Sequence, residues 1–116
     1  MSDFATTRYR KARKPHRCAE CRRMIVPGED YARIAGADDG RAWSVAMCSR
    51  CEALTCAAWE VVHRENMDPE EGPRFRGLVS WLLDALDFPD VMALLSPEIA
   101  GHFAGLVFRM REAAAR

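Results

Sequence analysis

HRCAEC, residues 16–21, and MCSRCE, residues 47–52, each hold a Cys-x-x-Cys pair, and the 116-residue chain has only one other cysteine, Cys56. Such pairs serve as redox couples, as disulfide partners or as halves of one metal site. The 26 residues between them decide which chemistry applies. Pro27-Gly28 marks a turn. Residues 31–35 read as a short strand, GADDG (36–40) as a hairpin turn, and 41–47 as a second strand. In that strand Trp43, Val45 and Met47 alternate with Ala42, Ser44 and Ala46, the period of a half-buried strand. Ser49-Arg50-Cys51-Glu52 then has the form of a capping box. It opens a helix carrying Leu54, Ala58, Val61 and Val62 that ends near Asn66.

Knuckle, β-hairpin and second pair at a helix N-terminus is the layout of a treble-clef zinc finger. Two turns each supply an i, i+3 pair of thiolates, and the helix N-terminus favours their negative charge. Cys18, Cys21, Cys48 and Cys51 are therefore the expected ligands of one Zn²⁺. Four thiolates leave no position for an activated water, so this zinc is expected to be structural. Two rivals stand beside it. A redox pair should follow a strand and open a helix, which only Cys48 and Cys51 do, and it leaves the other pair unexplained. Four cysteines also suit an iron–sulfur centre. Cys56 reads as a small buried apolar residue. His16, two residues before Cys18, is either an aid to the metal site or a solvated residue of the basic segment.

The pattern His16, Cys18, Cys21, Ile25, Gly28, Tyr31, Asp39, Gly40, Cys48 and Cys51 resembles small treble-clef zinc proteins of bacteria and their phages. It covers residues 12–55. The resemblance implies the metal and the fold. With the Ala- and Arg-rich composition and an appended helical lobe, it also suggests a phage or prophage accessory protein.

That lobe begins after Asp68-Pro69-Glu70-Glu71, a helix-start or turn signal, and Gly72-Pro73. Phe75, Leu78, Val79, Leu82, Leu83 and Leu86 form one helical stripe, which Phe88-Pro89 breaks. Residues 91–95 make a short helix. Ser96-Pro97-Glu98 starts a last helix carrying Ile99, Phe103, Leu106, Val107 and Met110. The expected class is α+β, with a basic arm (1–14), a four-cysteine zinc module (15–67) and a helical lobe (68–116) sharing one core.

The chain is 49% apolar and 29% charged, a globular composition. MSDFATTRYRKARK has no apolar run, and residues 78–95 contain Asp84, Asp87, Pro89 and Asp90, so neither a signal peptide nor a membrane span is expected. The expected location is cytoplasmic, where thiols stay reduced. The net charge of zero hides an asymmetry. Residues 1–23 hold Arg8, Arg10, Lys11, Arg13, Lys14, Arg17, Arg22 and Arg23 against Asp3 and Glu20, leaving +6, and the rest carries −6. The basic run is equally a solubilising tail or a contact surface.

No enzyme is expected. A nuclease on a treble clef needs a histidine on the hairpin, and none lies between Cys21 and Cys48. His63 and Asn66 at the helix end have no partner in the sequence. The favoured function is a protein-interaction module that binds and inhibits or modulates a host complex. The alternative is sequence-tolerant DNA or RNA binding through the basic arm, although only Tyr9 interleaves the bases there.

Overall fold

The computed structural model describes residues 2–74 and 76–115, and the side chains of these apart from 2–5 and 38. The class is α+β. Residues read from the sequence as a basic arm form a strand, β1 (Ser2–Lys11). Two short strands follow, β2 (His16–Arg17) and β3 (Met24–Ile25), then the long pair β4 (Asp30–Asp38) and β5 (Arg41–Cys48). β1, β4 and β5 make an antiparallel sheet in that order, and β2 pairs antiparallel with β3. Asp39 and Gly40 join β4 to β5 with φ of 50° and 78°. A tight two-residue hairpin needs this left-handed pair, and Asp-Gly supplies it at little strain.

The chain divides into two units, Met1–Glu52 and Ala53–Arg116. In the first, the buried side chains are few and mostly small: Ala12, Ile25, Tyr31, Ala32 and Met47, with four cysteines. The boundary falls within the first turn of α1 (Ser49–Arg64). This helix ends in a Schellman arrangement. Asn66 takes φ 52°, the Met67 N–H donates to the Val62 carbonyl at 2.9 Å, and the Asn66 N–H donates to that of His63 at 3.2 Å.

The second unit continues with a 3-10 turn (Pro69–Glu71), α2 (Leu78–Ala85), α3 (Phe88–Leu94) and α4 (Pro97–Ala114). A capping box stands here: Asp68 accepts from Glu70 N–H at 2.9 Å, and Glu71 accepts from Asp68 N–H at 3.1 Å. Ser96 caps α4 through the Ile99 N–H, with Pro97 in the first turn, as the sequence indicates. Leu78, Leu82, Val91, Phe103, Leu106 and Val107 are buried, and Phe88 stacks on Phe103 at 5.8 Å. Phe75, assigned to the α2 stripe from sequence, lies outside the described residues. α2 itself is only eight residues long, because Gly77 precedes it and Leu86 is already extended.

The turn at 68–72 is held by two tryptophans. Trp81 donates its indole N–H to the Glu71 carbonyl at 2.7 Å. Gly72 lies against Trp59 so closely that a β-carbon there would stand 2.6 Å from the indole ring. Gly72 has φ −73°, so this is a matter of space and not of backbone conformation. Gly72→Ala should therefore destabilise by about 1–3 kcal/mol, the usual range for overpacking. Thermal denaturation checks it, and an unchanged melting temperature would show that Trp59 swings away without loss.

Candidate metal centre and cationic sheet face

Each cysteine pair is presented by a different device. β2 and β3 pair His16 with Ile25 and Arg17 with Met24, closing a knuckle around Cys18 and Cys21. Arg22, at φ 66°, turns the chain, and its N–H donates to the Cys18 carbonyl at 3.0 Å while Cys18 N–H donates to Arg23 at 2.9 Å. The Arg17 guanidinium donates to the Arg22 carbonyl at 2.7 Å, which fixes the same turn from outside. Cys48 ends β5 and Cys51 lies in the first turn of α1. The Ala19 N–H donates to the Ala46 carbonyl at 2.9 Å, tying the knuckle to β5 beside Cys48.

The result brings together all four cysteines expected as ligands. Their sulfurs lie within 4.8 Å of one another and all four residues are buried. Among the described residues this is the one group placed to hold a metal ion. A tetrahedral ion at about 2.3 Å from each sulfur sets neighbouring sulfurs about 3.8 Å apart. Cys21 and Cys48 are at 3.8 Å. None of the five cysteines is in a disulfide. The donor set and spacing thus fit one metal ion. His16 lies outside the group and stacks on Tyr31 at 4.9 Å.

Metal-free, the cluster settles its charge unevenly. Hydrogen bonds from the Cys48 and Cys51 side chains hold the Cys18 thiol far below its usual range, and the Cys48 N–H, 3.3 Å away, assists. Donating to Cys18 pushes Cys48 up to about 12. Cys51 is raised too, first by Cys18 and then by Cys48. One thiolate is therefore sustained by protons on its neighbours, and a cation must displace those protons to gain the remaining ligands.

The basic residues expected as partner contacts fall into two groups. Arg17, Arg22 and Arg23 belong to the knuckle. Arg8, Arg10 and Lys11 lie on β1, with Arg13 and Lys14 just beyond it. The register sets Arg8 directly opposite Arg33 of β4, and Arg10 opposite Tyr31. Lys11 pairs with Asp30 at 3.1 Å, both strongly exposed. A groove of about 950 Å³ is lined by Arg10, Lys11, Arg13, Lys14, His16 and Arg33, with no carboxylate on its wall. On the other side of β1, Tyr9 donates to Glu52 of α1 at 2.7 Å.

Three features escape the sequence reading. β1 was not assigned, although Thr6, Thr7 and Tyr9 are strand formers. Arg33 joins the basic residues only through the β1–β4 register. Cys56 is exposed, not buried: five positions past Cys51 it falls on another side of α1. Comparison with protein-family models, with curated proteins and with solved structures returns no significant match to this chain.

Two predictions follow from the cluster. Native mass spectrometry should find one zinc per chain, lost on Ser substitution of Cys18, Cys21, Cys48 or Cys51 and kept in Cys56→Ser. A Cys48→Ser, Cys51→Ser double variant that retains zinc in full would sink the four-thiolate site. Because the Cys48 and Cys51 thiols are raised in the metal-free state, protons compete with the metal, and zinc affinity should climb with pH. The expected slope is about tenfold per pH unit for each proton displaced. Chelator competition at pH 6, 7 and 8 measures it, and a flat profile would contradict the coupling.

Proposed function

We propose that this chain is a non-enzymatic interaction module, built as a treble clef on one structural zinc, that docks an anionic partner on the face of its sheet. The order of knuckle, hairpin and helix supports the treble-clef reading, and the thiolate set supports zinc over harder metals. Four thiolates fill a tetrahedral ion's coordination, so the site has no position for a substrate or an activated water. In the setting that the resemblance implies, the partner belongs to a host complex engaged by a phage or prophage accessory protein.

The observation that carries the docking reading is the Arg8–Arg33 pair. Like charges directly opposite on neighbouring strands destabilise a sheet, and a sequence under selection for stability alone would place an acid at one of the two positions. Neither arginine makes an ion pair among the described residues. An anionic partner relieves that repulsion on binding, which ties the cost to function.

The test separates stability from binding. Arg8→Glu should pair with Arg33 and stabilise the fold by up to about 1 kcal/mol. The same change should abolish partner recovery from lysate by the tagged protein, assayed with and without nuclease treatment. A variant that is more stable and still recovers its partners in full would remove this face from the interaction.

A further inference from the structure

The groove, the β1–β4 register and the distribution of exposed apolar residues bear on what the anion is. Resting on the docking reading above, we infer that the face formed by Arg8, Arg10 and Arg33, continued by Arg13 and Lys14, binds the phosphate backbone of a nucleic-acid duplex without reading its bases.

The geometry is that of a charge array. Arg8 and Arg10 stand two residues apart on a strand, about 6.6 Å along its axis, and Arg33 stands about 5 Å across from Arg8. All three lie on one side of the sheet, because cross-strand partners and alternate residues share a face. Guanidinium groups so placed offer planar forks to successive phosphate oxygens, a match that ammonium groups make less well. Arg13 and Lys14 are exposed where the chain leaves β1, extending the array along the groove.

Two further observations separate this partner from an acidic protein and from a base-reading mode. A protein interface needs an apolar centre from which water is excluded. Among the described residues of β1, β4 and β5, Tyr9 is the one large apolar side chain that is exposed. Tyr9 lies on the opposite face, and Met24 and Val26 belong to the knuckle segment. Base reading in the major groove calls for a helix or ribbon that carries donors to the base edges. α1 carries Glu52 in its first turn and holds Arg50 and Arg64 against Glu52 and Glu60, so it is no cationic probe.

The experiment measures binding of the zinc-loaded full chain to random-sequence duplex DNA across a salt series. With five cations on phosphates, the log–log slope should be about −4 to −5. Unrelated duplex sequences should bind alike. Replacing Arg8, Arg10 and Arg33 together by Gln should reduce the slope to about −2, at unchanged zinc content, since each lost contact removes about one unit. Replacing the same three by Lys should keep most of the slope, which a merely structural role for the arginines does not predict. Absent or salt-insensitive binding, or a slope unchanged by the Gln variant, overturns the inference. If Arg8→Glu still blocks partner recovery in that case, the docking face stands and its ligand is an acidic protein. If neither assay responds, both readings fail.

Discussion

Four thiolates cannot share one buried site without a cation. Charged sulfurs within 4.8 Å of one another in a water-poor pocket repel strongly, and burial removes the solvent that would soften the repulsion. The metal-free cluster answers by concentrating charge on Cys18 and keeping Cys48 and Cys51 protonated. A bound metal ion would convert the same geometry from a conflict into an attraction. Finger peptides gain about 10–16 kcal/mol of apparent binding energy this way, comparable with the whole stability of an ordinary domain. The first unit has little else to hold it: beyond the cysteines, its fully buried large side chains among the described residues are Ile25 and Met47.

That surplus explains how the sheet tolerates its own surface. The metal cluster clasps the knuckle to β5 through Cys48 and the Ala19–Ala46 hydrogen bond, and β5 holds β4 in register. β4 in turn carries β1, whose far side is braced by the Tyr9–Glu52 hydrogen bond one residue from the ligand Cys51. Arg8 and Arg33 are thus forced to face each other by a frame whose stability comes from elsewhere. The repulsion they contribute, a few tenths to 1 kcal/mol, is small against the metal term. Loss of a metal from the cluster would loosen this frame, and with it the order in which the sheet presents its arginines.

The parts legible in the sequence are those fixed by local signals. GADDG marked the hairpin, although β4 runs on to Asp38 and the turn itself is Asp39-Gly40; Ser96-Pro97 located α4, and the two Cys-x-x-Cys pairs located the cluster. What escaped depends on pairing at a distance. β1 is rich in charge, and its strand character shows only when it lies against β4, whose edge would otherwise be open. Arg33 looks like an ordinary exposed residue until the register places it opposite Arg8. The capping box at Asp68–Glu71 reads from sequence as a helix-start or turn signal, without the reciprocal bonds that define it. Cys56 was misjudged because composition says that cysteines are buried, while the helical period around Cys51 says which side they take.

The charge split gains its meaning from the two units. Residues 1–52 hold eleven bases against seven acids, a net +4, and residues 53–116 hold six bases against ten acids, a net −4. A uniformly basic chain of this size would adhere to polyanions by any surface, with little control over orientation. The two units therefore act oppositely on any polyanion, the first attracting it and the second repelling it. Neutrality overall is then the sum of a basic unit and an acidic one, and not an even mixture of charge along the chain.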